Sequence, residues 1–210
     1  MNFQWLSASG PYPIVEFHDV RTEKFKSDRY LSLVAGQPGA ELGQFHAAGH
    51  PDRLITLRGF AGTEARRKAL TQYHAGPDWA GRRAEVADLS RSAEVLLTRA
   101  IAPAEGTRPM RPDESYQLLV SELRFAEQVG NYHLWLRLLL RKAGLDPLAA
   151  FATLEAVNDV PAVPVIKNRT HHVALLRMGR RPPELPPELR NMLRFAPETL
   201  VLEPAWMLVS

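Results

Sequence analysis

The stretch Ile14–Val20, with the sequence IVEFHDV, decides the fold of this chain. Its apolar and polar residues alternate, a period of two that is typical of a β-strand with one buried face. Downstream, 27–34 has a helical pattern, and 40–47 and 54–60 are predicted as antiparallel strands joined by turn residues at 49–52. The strand at 14–20 therefore opens a unit that mixes strands with a helix.

The remainder of the first half adds a helix and a strand. Thr63 is predicted to cap the N-terminus of this helix, and Gly76-Pro77-Asp78 interrupts it before a second segment over 79–89. A strand over 94–101 follows. The predicted order of the first half is strand, helix, strand, strand, helix, strand.

A Pro-rich stretch at 103–112 separates this unit from a second one with the same order of elements. The second unit is predicted to contain strands at 116–125, 151–158, 171–178 and 199–203, and helices at 131–143 and 187–193. We therefore expect a first domain over 1–102, a linker over 103–113 and a second, degenerate domain over 114–210.

The two units share a pattern of elements rather than residues. When they are overlaid, Val20-Arg21 falls on Leu123-Arg124, and Leu57-Arg58-Gly59 falls on Leu176-Arg177-Met178. A β-α-β-β-α-β unit carries its helices on one face of a four-stranded sheet, so the other face needs cover that a second unit supplies. The sequence predicts an α+β protein of two ferredoxin-like repeats. Their sheets would meet within one chain, as an internal pseudo-dimer, or between the chains of a homodimer.

The composition is that of a globular protein, and it excludes several classes of function. Of 210 residues, 45% are hydrophobic and 23% are charged, and the net charge of +3 is spread over both halves, so nucleic acid is not an expected partner. The sequence contains no cysteine, which excludes disulfides and thiolate sites. No stretch approaches the roughly 18 apolar residues of a membrane span, and the start lacks the pattern of a secretory signal. A cytoplasmic location is therefore expected.

Sequence motifs for nucleotide, zinc or serine-hydrolase chemistry do not occur, so no cofactor is predicted. His171 and His172 are neighbours on a predicted strand, and their side chains should point to opposite faces, where they cannot share one ion. Packing at the surface or at a strand edge is expected for this pair. His18 and His46 could share a sheet face, but no carboxylate spacing supports a metal site there, and none is predicted.

Polar residues along the predicted sheet face are the candidates for a functional site. Structural ion pairing is the simpler interpretation, because Asp19 and Arg21 are two residues apart on one strand and so share a face. The functional hypothesis is that Arg21 or Arg58 binds an anionic or carbonyl group while His46 acts as a base. The catalytic candidates are His46 and Arg58, and the ligand-binding candidates are Arg21, Asp19, Tyr73, Trp79, Glu122 and Arg124, with the two aromatic residues as pocket walls.

Four motifs in the first half carry a resemblance to a known family. They are LGQF at 42–45, HPDRLITLRGF at 50–60, ARRKAL at 65–70 and GPDW at 76–79. Over 15–101 the chain resembles the NIPSNAP family, and the second half resembles a degenerate copy. The resemblance implies a dimeric α+β-barrel fold, but it implies no particular reaction and no catalytic residues.

Two functions remain open from the sequence. The first is a NIPSNAP-like protein that has a structural role or binds a small apolar or anionic ligand through the sheet face. The alternative is a cofactor-independent small-molecule enzyme of the monooxygenase or isomerase type, with His46 and Arg58 in its pocket; fold-level analogy is its only support. In either case we expect a ligand to lie where the two sheets meet.

Overall fold

The structure, a computed structural model, describes residues 12–23, 26–102, 114–145, 147–155 and 158–205. The first half contains β1 (Ile14–Thr22), α1 (Ser27–Val34), β2 (Ala40–Ala47), β3 (His50–Phe60), α2 (Thr63–Ala75), α3 (Pro77–Leu89) and β4 (Ser90–Ala102). The second half contains β5 (Tyr116–Leu123), a 3-10 turn (Ala126–Gln128), α4 (Val129–Lys142), β6 (Pro147–Thr153), β7 (Thr170–Arg177), α5 (Pro187–Asn191) and β8 (Glu198–Pro204). The predicted linker over 103–113 lies outside the described residues.

The eight strands form one closed antiparallel barrel in the order β1-β3-β2-β8-β5-β7-β6-β4. Within it, the first half contributes the strand order β4-β1-β3-β2, and the second half contributes the matching order β8-β5-β7-β6. The halves join through the pairs β2–β8 and β4–β6. The predicted fold class is confirmed as an α+β fold, in which helices surround a closed antiparallel barrel. The two sheets meet within a single chain, and closure leaves the barrel without an unpaired edge strand.

The barrel interior is filled by one side of every strand. Val15 and Phe17 of β1 point inward, whereas Glu16 and His18 between them point to the helices, as the period-two pattern predicted. All eight strands contribute buried side chains to this interior cluster. Two aromatic pairs link the halves edge to face across it, Phe17 with Phe151 at 5.0 Å and Phe45 with Tyr116 at 6.2 Å between ring centroids.

The helices cover the outside of the barrel. In the first half, α1 packs Tyr30, Leu33 and Val34 against Val20 and Leu54. In the second half, α4 packs Tyr132, Leu136 and Leu140 on Leu119, Leu123 and other outward residues of the sheet. Because each helix buries only one side, the sheet is sandwiched between an inner core and an outer one.

Several predicted boundaries are wrong. The turn before β3 lies at Ala48-Gly49 rather than 49–52, because Gly49 supplies the positive φ of +77° that the reversal needs, and pairing resumes at His50. The N-cap of α2 is Gly62, and Thr63 is the first helical residue without a capping side-chain bond. The strand predicted at 151–158 is β6, at Pro147–Thr153.

The overlay of β3 on β7 is also wrong. Leu57 lies in the interior cluster, whereas Leu176, on which it was placed, lies in the outer cluster under α4. The overlay of Val20 on Leu123 is consistent, since both residues face helices. Asp19 then matches Glu122, and their partners in the strand ladders, Ile55 and His171, match each other.

Candidate ligand-binding site

A cavity of about 300 Å³ opens at one end of the barrel, among residues of β1, β3, β4, β5, β7 and β8. Its floor is apolar and belongs to the interior core, with Phe17, Ile55, Leu96, Leu118, Val173 and Leu200. Its rim is polar, with Asp19, Arg53, Glu94, Glu122, Arg169, His171 and Glu198. We call this cavity the barrel mouth. An apolar floor below a few polar groups is the usual build of a small-molecule site.

One side of the barrel mouth is closed by a tight ion-pair cluster. The Nε of Arg53 donates hydrogen bonds to both carboxylate oxygens of Asp19, at 3.0 and 3.1 Å, and its Nη1 pairs with Glu198. The hydrogen bond from Arg53 lowers the pKa of Glu198. Because the Arg53 side chain is only 8% exposed, this cluster holds three strands together at the rim.

The other side of the barrel mouth is loosely paired. The Glu122 side chain is 11% exposed, and its Oε2 lies 3.9 Å from both Arg169 Nη1 and His171 Nε2. Its Oε1 lies 3.6 Å from Arg194 Nε. These distances are too long for direct hydrogen bonds. Glu122 is therefore a nearly buried carboxylate surrounded by cations that do not hold it closely.

His171 is the polar group best placed to meet a ligand. It lines the cavity, only 7% of it is exposed, and its Nδ1 is buried without a hydrogen-bond partner in the part of the chain that the structure describes. Burial lowers the pKa of His171, and the neighbouring Glu122 only partly opposes this. The ring is therefore neutral near pH 7, and one of its nitrogens is free to accept a hydrogen bond.

The structure separates the predicted site residues into three places. Asp19 and Glu122 line the barrel mouth. Arg21 faces Asp52 at 3.8 Å and does not line the cavity, and Arg124 donates from Nε to the carbonyl of Leu193 at 2.9 Å. The remaining four, His46, Arg58, Tyr73 and Trp79, lie in the layer between the first-half sheet and its helices.

In that layer, Arg58 donates to the carbonyls of Gln37 and Val34 at 2.8 and 3.3 Å, so it holds the end of α1. His46 is 4% exposed, and neither ring nitrogen has a partner in the described chain. Tyr73 and Trp79 pack together at 5.5 Å between ring centroids. The catalytic role of His46 and Arg58 stays a prediction, and the two do not line the barrel mouth.

Sequence reasoning missed the strongest polar interaction of this layer. Glu16, fully buried, accepts a hydrogen bond from Arg66 Nε at 2.6 Å and contacts His18 Nε2 at 2.9 Å, and Arg66 also reaches Asp159 at 3.2 Å. Burial raises the pKa of Glu16, but His18 and Arg66 outweigh burial, and the pKa lies below its usual value. Sequence periodicity does not single out Arg66 as buried, because α2 has few apolar residues to mark its buried side.

In the second half, the polar side chains between the sheet and its helices are neutral and bond to one another. His172 lies on the opposite face from His171, as predicted, but both are buried, so the expectation of surface packing is wrong. His172 Nε2 lies 3.0 Å from His133 Nδ1, and the Tyr132 hydroxyl donates to Ser121 at 2.8 Å. Burial lowers the pKa of His172 to about 3.

Neither a metal cluster nor a membrane helix is found among the residues that the structure describes. No group of three or more His, Asp or Glu side chains there could hold a metal ion. No helix in that part of the chain is long and apolar enough to cross a membrane.

Solved structures resemble the whole chain or half of it. A candidate monooxygenase from Fusobacterium nucleatum matches 92% of this chain and 92% of its own, with a TM-score of 0.53 at 10% identity. A candidate monooxygenase from Lactobacillus acidophilus matches 91% of this chain and 93% of its own, with a TM-score of 0.49 at 10% identity. A NIPSNAP family protein of unknown function from Agrobacterium tumefaciens matches 48% of this chain and 96% of its own, with a TM-score of 0.39 at 19% identity.

The match over the whole chain shows the barrel fold. NIPSNAP family structures are among those that resemble about half of the chain, with TM-scores of 0.37 to 0.39. Neither a protein-family model nor a curated protein matches this chain.

Proposed function

We propose that this protein binds a small, largely apolar molecule in the barrel mouth. The observation that carries this proposal is a cavity of about 300 Å³ whose floor is the apolar core and whose rim keeps an unpartnered imidazole nitrogen and a loosely paired carboxylate. Buried polar groups are normally hydrogen-bonded, so such a rim is suited to a ligand that completes its bonds. The volume is at the lower end of the range for small-molecule sites.

Titration with the neutral dye N-phenyl-1-naphthylamine tests this function. The dye should gain fluorescence in the wild type, and Val120→Trp should remove most of that gain, because Val120 is a partly buried residue of the cavity wall and a larger side chain fills the opening. Circular dichroism of the variant checks that it still folds. No gain with the wild type, or an undiminished gain with Val120→Trp, would contradict the proposal.

A matched control is needed because the molecule has another apolar groove. This groove, of about 470 Å³, lies between α4 and α5 and includes Leu138, which is 59% exposed. Leu138→Ser should leave the dye signal unchanged. If Leu138→Ser removes the signal and Val120→Trp does not, the dye binds the outer groove, and the barrel mouth loses its proposed function.

A second candidate function is cofactor-independent acid–base chemistry in the same cavity, the isomerase side of the alternative inferred from the sequence. The observation that favours it is the neutral, buried imidazole of His171, with Glu122 on its Nε2 side. His171 would take a proton from a carbon next to a carbonyl and return it to the resulting enolate, so that no cofactor and no oxidant is consumed.

Proton exchange measures this chemistry directly. With 1-phenyl-2-propanone in D₂O, the wild type should speed the loss of the benzylic proton signals above the rate in buffer, and His171→Gln should abolish the increase. If the wild type and buffer exchange at the same rate, binding alone remains as the proposed function.

A further inference from the structure

The rim of the barrel mouth carries an excess of negative charge. Its lining has four carboxylates, Asp19, Glu94, Glu122 and Glu198, and two guanidinium groups, Arg53 and Arg169, and a third guanidinium, Arg194, lies 3.6 Å from Glu122. His171, also on the rim, adds no charge at neutral pH, because burial lowers its pKa. Above an apolar floor, such a field concentrates cations at the opening and disfavours anions.

The excess is not shared evenly around the opening. Arg53 bonds to both Asp19 and Glu198, so the three groups satisfy one another, although together they keep one negative charge. Glu94 faces Asp19 across the β1–β4 ladder and has no ion-pair partner within the described part of the chain. Glu122 has only cations at 3.6 Å or more, and Arg169 among them is 54% exposed. The two carboxylates left to bind a ligand are Glu94 and Glu122.

The imidazole of His171, beside Glu122, can also accept a hydrogen bond from a ligand. In the neutral tautomer with the proton on Nε2, the side of Glu122, the acceptor of His171 is Nδ1, which is buried and has no partner among the described residues. A ligand that donates hydrogen bonds can satisfy both Nδ1 and the Glu122 carboxylate, whereas an anion can satisfy neither. The unpartnered nitrogen thus selects for a donor, independently of the count of charges.

From this geometry we propose that the ligand of the barrel mouth is an amphipathic amine: a protonated primary or secondary amine on a compact apolar body. The ammonium group binds at the rim next to Glu122 and His171, Glu94 adds to the negative potential of the opening, and the apolar body contacts Phe17 and the floor below. This inference rests on the proposed function and refines it. It also replaces the anionic ligand considered from the sequence, because the two arginines of that hypothesis, Arg21 and Arg58, do not line the cavity.

Calorimetry with three ligands of similar shape tests the sign of the charge. Phenethylamine, 2-phenylethanol and 3-phenylpropanoate are titrated into the wild type at neutral pH. The amine should bind about tenfold more tightly than the alcohol, since charge-assisted bonds are about twice as strong as neutral ones, and the anion should bind most weakly. Raising sodium chloride from about 20 mM to about 300 mM should weaken the amine and leave the alcohol unchanged.

Substitutions of the rim carboxylates then test which charges bind the amine. Glu122→Gln and Glu94→Gln should each lower the affinity for phenethylamine about fivefold or more and should lower the affinity for 2-phenylethanol by less, because its hydroxyl donates a hydrogen bond but carries no charge. Glu188→Gln on α5, which is not part of the rim, should change neither. Amine binding that is unaffected by both rim variants is general surface attraction and overturns the proposal.

The outcomes separate this inference from the function on which it rests. Equal affinity for the amine and the alcohol overturns the amine class and leaves small-molecule binding in the barrel mouth intact. Tighter binding of 3-phenylpropanoate than of phenethylamine also overturns the amine class and leaves small-molecule binding intact. If none of the three compounds binds and the neutral dye does not bind either, both proposals fail together.

Discussion

The two halves of the barrel solve the same packing problem with different chemistry. At the rim, Asp19 of the first half is held by Arg53, whereas its counterpart Glu122 in the second half has no cation closer than 3.6 Å among the described residues. Behind the sheet, the first half buries an ion pair, Glu16 with Arg66, where the second half buries neutral hydrogen bonds. At the rim, the first half thus has closed polar contacts, with hydrogen bonds between the partners, and the second half has open ones, without them.

This difference indicates where function resides. Closed contacts fix geometry, because removing either partner leaves a buried group unsatisfied. Open contacts give little to stability and keep their bonding capacity for another molecule. The two rims should therefore respond differently to substitution: the first in stability, and the second in binding.

The largest effect is expected from breaking the ion pair behind the first sheet. Arg66→Leu leaves the fully buried Glu16 without its main cation and should lower the free energy of unfolding by about 3–5 kcal/mol in urea denaturation. The neighbouring Arg67 is the matched control, since its pair with Glu64 is exposed and Arg67→Leu should cost less than about 1 kcal/mol. If the two substitutions lower the free energy of unfolding equally, burial does not make the ion pair of Arg66 more important for stability than that of Arg67.

Acid should weaken the second half through its neutral histidines. The pKa of His172 is about 3 in the folded chain against 6.5 as an ordinary value, so above pH 6.5 neither state holds the proton, and between 6.5 and 3 only the unfolded state does. Stability is therefore lost as the pH falls through this window, by about 1.4 kcal/mol per pH unit for this one group.

The measurement is urea denaturation at several pH values below 6.5. His172→Gln should reduce the slope of the unfolding free energy against pH. The reduction should correspond to the uptake of at most one proton on unfolding, whatever the effect of the substitution on absolute stability. The other buried histidines whose pKa is lowered, among them His133, add to the slope of the wild type in the same direction. An unchanged slope in His172→Gln would show that His172 takes up its proton in the folded state.

Much of the fold followed from the sequence, because β1 and α1 have clear periods. The range predicted for α1 is the observed one, and Asp19 and Glu122 were placed on the correct face because each follows an inward apolar residue, Phe17 or Val120, by two positions. These assignments need only local pattern.

The rest of the site depends on information that is not local. Arg53 was not assigned to a strand, because it lies between the turn predicted at 49–52 and the strand predicted from 54. Glu94 reaches the rim only because β4 pairs with β1 in one particular register. Arg58 was placed on the wrong side for a different reason: β3 is buried on both faces from Arg53 onward, so its period does not show which face is interior.

A smaller effect is expected from the rim of the first half. Arg53→Met removes the cation shared by Asp19 and Glu198, but these carboxylates are 33% and 51% exposed, so water offsets part of the loss. We expect a cost of about 1–2 kcal/mol. Arg169 is the counterpart in the second half, and Arg169→Met should cost less than about 0.5 kcal/mol, because its contact at 3.9 Å is loose and its side chain is 54% exposed. A cost for Arg169→Met that matches the cost for Arg53→Met would remove the contrast between the two rims.

The smallest effect, and the one that bears most on function, is expected for Glu122 itself. Glu122→Gln keeps the shape of the side chain and removes a charge that no hydrogen bond holds, so the unfolding free energy at neutral pH should change by less than about 0.5 kcal/mol. Asp19→Asn, the matched change in the first half, breaks the bond from Arg53 and should cost about 1 kcal/mol. If Glu122→Gln costs more than Asp19→Asn, Glu122 is a structural residue. If it costs nothing and still weakens the amine, the barrel mouth keeps this carboxylate for its ligand rather than for its fold.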